Sequence, residues 1–75
     1  MRLTELAADL EALRADLAEE LLAINRYEAQ THVLNDSDVR DTLAHLLDEK
    51  KQHVALLFAQ LRRLDPKQAE KLDRS

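Results

Sequence analysis

The chain has 75 residues, so it forms one domain, and a domain of this size buries only a modest fraction of its surface. It contains no Cys, no Gly and a single Pro, Pro66. These counts exclude disulfides and thiolate metal sites, and they argue against strand-rich folds, which need turn residues every few positions. The formal net charge of −4 argues against nucleic-acid binding, because proteins of that class usually carry a basic face.

Targeting signals also fail to match the sequence. No apolar run approaches the roughly 18 residues of a membrane span. The N-terminal segment carries Glu5, Asp9 and Glu11 where a secretory signal needs an apolar stretch. We therefore expect a cytoplasmic protein without membrane contact. The basic residues near the C-terminus match the negative ends of helix dipoles and favour solubility: Arg62, Arg63, Lys67, Lys71 and Arg74.

The first half of the chain has the pattern of a long amphipathic helix. Apolar residues recur every three or four positions and predict a helix over about 3–34, with one packing seam. The seam residues are Leu3, Leu6, Leu10, Leu13, Leu17, Ile24, Tyr27 and Leu34. The segment Asn-Asp-Ser-Asp at 35–38 breaks the pattern and predicts a turn, because these side chains favour turns and helix N-caps.

A second helix is predicted over about 38–64, and a short third helix over about 66–72. The second seam comprises Val39, Leu43, Leu46, Leu57 and Leu64. Asp65 ends this helix, because the residue before a proline avoids the helical region. The same residue can cap the short helix, with Pro66 at its first position.

This pattern predicts an all-α fold: an antiparallel two-helix hairpin plus a short C-terminal helix, in one domain over 1–75. A lone hairpin would leave a wide apolar face in water. Pairing with a second copy removes that exposure, so we expect a homodimeric four-helix bundle. The alternative is one continuous helix in a coiled coil, which the turn segment and the shift in heptad phase disfavour.

Three seam positions carry charged or titratable residues instead of apolar ones: Glu20, Lys50 and His53. Residues at equal height on the two helices have numbers that sum to about 73, given a turn near residues 36 and 37. Glu20 and His53 therefore lie at one level, with Lys50 one turn away. A charge at a seam is costly unless it is paired or bound to metal, so we predict that the three meet.

The residues around these positions resemble those of a known family. The chain from Leu17 to Pro66 is similar to the rubrerythrin and encapsulated-ferritin branch of the ferritin-like superfamily. The similarity is carried by three segments: ELLAINRYE at 20–28, LDEKKQHV at 47–54 and LDP at 64–66. It implies a helical hairpin that dimerises, can build annular oligomers, oxidises Fe(II) at a di-iron site on the dimer interface, and works inside an encapsulin shell.

The resemblance also implies which residues would hold iron. Each chain of that family supplies one Glu from the first helix and a Glu-x-x-His pair from the second. Glu20 and His53 match the first and last ligands, and Tyr27 matches a tyrosine beside the site. Lys50 stands where the remaining Glu ligand is expected. Glu49 is a weaker ligand candidate, because its side chain leaves the helix about 100° away from the direction of residue 50.

Lys50 leaves two hypotheses open. In the first, the chain is a ferritin-like iron protein, ferroxidase-like if it binds iron, with an altered site of Glu20, His53 and Glu49. In the second, it is a non-catalytic, metal-free assembly module in which a Glu20–Lys50–His53 network occupies the interface. Two Glu20 and two Lys50 side chains sum to zero charge in a dimer, so two divalent ions would leave that site strongly positive.

A weaker candidate site lies off the seam. Glu28 and His32 are four residues apart, and Glu28 and His45 lie at equal height by the estimate above. The pattern is compatible with a shallow surface metal site or with ordinary surface pairs at helical spacing.

Overall fold

The computed structural model describes residues 1–74 and consists of three α-helices: α1 (Leu3–Thr31), α2 (Ser37–Leu64) and α3 (Pro66–Arg74). The predicted all-α fold is confirmed, and the described part of the chain contains no strand. Ser75, the last residue of the predicted domain, lies outside the described residues. None of the three helices is long and apolar enough to span a membrane.

The connection between α1 and α2 lies earlier in the chain than predicted. α1 ends at Thr31, three residues before the expected end. The backbone N–H groups of His32 and Val33 donate to carbonyls one tight turn back, at 3.3 and 3.1 Å, which closes the helix. Asp36 is the N-cap of α2, and its carboxylate accepts a hydrogen bond of 2.9 Å from the Val39 N–H. The turn therefore covers residues 32–36 rather than 35–38.

Cross-helix ion pairs show that α1 and α2 run antiparallel. Arg14 in the first half of α1 pairs with Asp65, which follows the end of α2, at 3.0 Å. Glu28 near the end of α1 pairs with Lys51, in the middle of α2, at 3.3 Å. As α1 advances from Arg14 to Glu28, its partners on the other side move back from Asp65 to Lys51, so the chain forms the predicted hairpin.

Asp65 forms the corner between all three helices. One carboxylate oxygen accepts a hydrogen bond of 3.1 Å from the Gln68 N–H, which is the predicted N-cap of α3. The other oxygen accepts a hydrogen bond of 3.0 Å from Arg14 on α1. α3 extends to Arg74, two residues beyond the prediction, and ion pairs from Asp73 to Arg62 and from Glu70 to Arg74 support its last turn.

The hairpin forms a single layer of helices without a closed core. The molecule measures 50 × 26 × 14 Å, and its smallest dimension is close to the roughly 10–12 Å diameter of one helix. Among residues 1–74 only Ala23 and Leu61 are buried. Seam residues such as Leu17 and Leu57 are only half-buried. One face of the seam therefore lacks the second layer that a stable helical domain needs.

The accessible surface supports the same conclusion. The chain exposes 5766 Å², whereas the size scaling of compact monomers gives about 4,700 Å² for a mass of 8.6 kDa. The excess of about 1,100 Å² is of the order that one partner contributes to a specific protein–protein interface, about 800 Å². The surface that the hairpin leaves exposed is thus large enough for a second hairpin.

Leu17→Asp should abolish assembly, because it places an unpaired charge on the half-buried seam at a cost of about 3 kcal/mol. Sedimentation velocity at micromolar concentration would measure the effect. Ala15→Asp, which adds the same charge at an exposed position of the same helix, is the matched control and should leave assembly unchanged. A wild-type chain that sediments as a well-folded monomer would contradict the expectation.

Asp65→Ala should loosen α3, because it removes both the N-cap and the acceptor for Arg14. We expect a loss of about 1–2 kcal/mol in the free energy of unfolding, as for other N-cap removals. Arg14→Met removes the ion pair alone and should cost less than 1 kcal/mol, because the Arg14 side chain is exposed. Urea unfolding at one protein concentration compares the two, and equal losses would show that capping by Asp65 contributes nothing.

Candidate functional site

The structure brings Glu20, Lys50 and His53 together in the middle of the hairpin. The Lys50 Nζ lies 3.4 Å from Glu20 Oε1, to which it donates a hydrogen bond, and 3.3 Å from Glu20 Oε2. The His53 Nδ1 lies 3.4 Å from the same Oε1. Lys50 and His53 are three residues apart on α2, so their side chains leave the helix on one face, toward Glu20 on α1.

Because the Glu20 carboxylate is partly buried, it depends on the Lys50 ammonium group to compensate its negative charge. The Glu20 side chain is 19% exposed and that of Lys50 29% exposed, whereas His53 is 47% exposed. Glu20 Oε2 is shielded from solvent and accepts no hydrogen bond within residues 1–74, although the ammonium lies beside it. The ion pair is therefore the main compensation for a carboxylate that water barely reaches.

Two open depressions flank the Glu20 carboxylate. One holds about 350 Å³ and is lined by Glu20, Lys50 and Leu22 among others, and the other holds about 290 Å³ and is lined by Glu20, His53 and Leu56 among others. Leu22 is 68% exposed and Leu56 57% exposed. The charged site is thus bordered on both sides by apolar side chains that water still contacts.

Tyr27, the predicted neighbour of the site, is half-buried on α1. Its ring lies 5.2 Å from the Arg26 guanidinium, a distance suited to a cation–π contact. Within the described residues its hydroxyl makes no hydrogen bond to Glu20 or to any other group. A role for Tyr27 at a bound metal remains a prediction.

The other predicted ligands lie in separate surface pairs. Glu49 contacts His45 at 2.8 Å along α2, and Glu28 contacts Lys51 at 3.3 Å across the helices. His32 follows the end of α1, and its side chain has no partner in residues 1–74. Sequence reasoning missed Lys51 as the partner of Glu28, because the equal-height estimate indicated His45 instead.

Arg14 and Asp65 form a second pair that sequence reasoning missed. Their opposite charges at the open end of the hairpin were the available signal, but Asp65 was interpreted only as a cap.

The donor set does not fit two ferrous ions. One chain brings one carboxylate and one imidazole to this place, those of Glu20 and His53. The ammonium of Lys50 lies at the carboxylate itself, and a protonated amine has no lone pair for a metal. Its charge also repels a cation at this place.

The structure is that of a long antiparallel helical hairpin with a carboxylate and an imidazole side by side at its seam, and ferritin-like bundles carry their sites on facing helices in the same way. The sequence profile of the EncFtn-like family matches residues 1–75, the whole chain. The chain belongs to the EncFtn-like family, which confirms the resemblance found in its sequence.

Curated relatives fall in the same group. The chain is 39% identical over 66 residues to the encapsulin nanocompartment cargo protein EncC of Myxococcus xanthus, an alignment that covers 88% of this chain and 48% of the relative. It is 41% identical over 54 residues to the encapsulated ferritin-like protein of Rhodospirillum rubrum, covering 72% and 39% of the two chains.

A third relative is the ferritin-like–encapsulin shell fusion protein of Pyrococcus furiosus, which is 40% identical over 63 residues, 84% of this chain and 18% of the relative. The chain thus spans less than half the length of each of these relatives. No solved structure matches the chain.

Lys50→Met should lower the free energy of unfolding by about 2 kcal/mol, because it leaves the Glu20 carboxylate unpaired in a partly buried place. The double change Glu20→Leu with Lys50→Met should recover most of that loss, since an apolar pair can replace a buried ion pair. Chemical unfolding without divalent cations, at one protein concentration, would measure both.

Lys51→Met is the matched control. Lys51 pairs with Glu28 on the exposed surface, with its side chain 56% exposed, so its loss should cost less than about 1 kcal/mol. Equal losses in the free energy of unfolding for Lys50→Met and Lys51→Met would show that the Glu20–Lys50 pair stabilises the fold no more than an exposed surface pair.

Proposed function

We propose that this chain is a metal-independent assembly module of an encapsulin cargo protein, which pairs with a second copy into a four-helix bundle and does not oxidise Fe(II). The proposal depends on one observation: the Lys50 ammonium lies 3.3 Å from the carboxylate of Glu20. The positively charged Lys50 therefore occupies the position where the family resemblance implies a negatively charged ligand.

Charge balance in the paired bundle supports this proposal. Two hairpins contribute two Glu20 carboxylates and two Lys50 ammonium groups, so the site is neutral without any ion. Two Fe(II) ions would add four positive charges to a partly dry site. At an effective dielectric constant near 20, each pair of unit like charges about 4 Å apart repels by roughly 4 kcal/mol. The ammonium groups therefore oppose the loading of iron.

The shape of the hairpin supports pairing. The layer is 14 Å thick, the seam residues are half-buried, and Leu22 and Leu56 border the charged site with exposed apolar surface. A second hairpin laid on this face would bury these side chains and complete the bundle. Higher annular assemblies, as the resemblance implies, would build on this dimer.

The encapsulin compartment is supported by the relatives alone. Proteins similar to this chain over most of its length are encapsulin nanocompartment cargo proteins by name. We extend that association to this chain and place it inside an encapsulin shell in the cytoplasm.

One observation favours a second function, Fe(II) oxidation at an altered site. Glu20 Oε1 and His53 Nδ1 lie 3.4 Å apart, so two side chains of ligand type already meet on the seam. Glu49 would have to leave His45 to join them. Fe(II) would then be a substrate bound by Glu20 and His53 of two copies, with Lys50 displaced from the carboxylate.

The proposal predicts that the wild-type protein, purified without chelator, carries little Fe, Zn or Mn and oxidises Fe(II) no faster than buffer. Metal analysis and a spectrophotometric Fe(II) oxidation assay would measure this. Two metal ions per dimer with oxidation above the buffer rate would favour the second function instead.

Lys50→Glu should reverse the behaviour. The dimer site then carries four carboxylates, which crowd each other and destabilise the bundle in the absence of metal. A divalent cation that binds only the folded dimer should restore its stability by mass action. Thermal unfolding with EDTA and with Zn(II) compares the two states. Lys67→Glu, the same change at an exposed position of α3, should respond to neither.

A further inference from the structure

The charge compensation at the site is complete within one chain. Both carboxylate oxygens of Glu20 lie within 3.4 Å of the Lys50 Nζ of the same hairpin. His53, the third group there, is close to the same carboxylate and half-exposed. A single hairpin therefore presents a neutral ion pair on the face that awaits a second helix layer, and it needs no charge from its partner.

The surroundings of the pair determine what a partner meets there. Leu22 and Leu56 flank it and are mostly exposed in the single chain, so a partner on this face would exclude water around the charges. Charges that face each other in such a water-poor region interact strongly, and like charges are strongly disfavoured. The net charge that the partner brings to this place therefore matters more than it would at an exposed edge.

We propose that Lys50 selects the partner of this hairpin: it favours a second copy of this chain and rejects hairpins that carry carboxylates at both corresponding positions. The inference rests on the proposed metal-independent bundle. A second copy brings another neutral Glu20–Lys50 pair, whereas a hairpin with two carboxylates brings two uncompensated negative charges. The mixed site would then need a divalent cation, which the ammonium group of Lys50 repels.

The test mixes wild-type protein with the Lys50→Glu variant, one of them carrying a mass tag, and counts dimers by native mass spectrometry. The two proteins are unfolded together, refolded with enough Zn(II) to neutralise the four carboxylates of a Lys50→Glu dimer, and brought to equilibrium. Zn(II) is needed because without it that homodimer, with a site charge of −4, is disfavoured more than the mixed dimer, with −2. Without selection, about half of all dimers would be mixed. With selection, mixed dimers should fall about tenfold below that level, the effect of an unfavourable charge contact at an interface.

Two further variants keep the test decisive. Lys67→Glu makes the same charge change at an exposed position of α3 and should mix with wild-type protein to the statistical level. The charge-swapped double variant, Glu20→Lys with Lys50→Glu, again makes the hairpin neutral. It should form dimers in EDTA both with itself and with wild-type chains, even if the single variant Lys50→Glu does not fold alone.

Statistical mixing of Lys50→Glu with wild-type chains would overturn partner selection, and so would a charge-swapped variant that fails to pair. Metal analysis of the wild-type dimer separates this inference from the function it rests on. A metal-loaded wild-type dimer overturns the proposed function, whereas a metal-free dimer that mixes statistically overturns partner selection alone.

Discussion

The packing of α1 on α2 along one seam, in a layer only 14 Å thick, is the constraint on which the other features of this structure depend. A helix buries a stripe of side chains, and one neighbouring helix covers only part of that stripe. Seam residues therefore stay half-buried, and only Ala23 and Leu61 are buried within residues 1–74. The core of a helical domain is completed by a second layer of helices, which the single hairpin lacks.

This constraint explains why one ion pair outweighs the others. The pairs of Glu28 with Lys51 and of His45 with Glu49 lie on the exposed surface, where water and salt screen them. The Glu20–Lys50 pair is more buried, with side chains that are 19% and 29% exposed. The Glu20–Lys50 pair therefore contributes more than the surface pairs, because the effective dielectric constant around charges falls where water is excluded.

Membership of the EncFtn-like family concerns the fold of the chain, whereas the identity of residue 50 concerns the chemistry of one site on that fold. The family profile matches residues 1–75, and in this chain the long seam, the turn and the corner at Asp65 specify a hairpin whatever chemistry it carries. Residue 50 decides the charge of one place on that hairpin. A single lysine there can leave the fold intact and change what the folded site can bind, because function resides in sites carried by folds.

The sequence by itself determined the helices, the hairpin and the mid-seam meeting of Glu20 with Lys50 and His53, because periodic apolar positions and equal heights on antiparallel helices follow from helix geometry alone. It placed the turn a few residues too late, since the cap at Asp36 decides where α2 begins. Only the tertiary structure decided that the Lys50 ammonium lies beside both carboxylate oxygens of Glu20 and that Glu28 pairs with Lys51 rather than with His45. Long side chains reach over a full helical turn, so spacing limits their partners, but the packed surroundings choose among them.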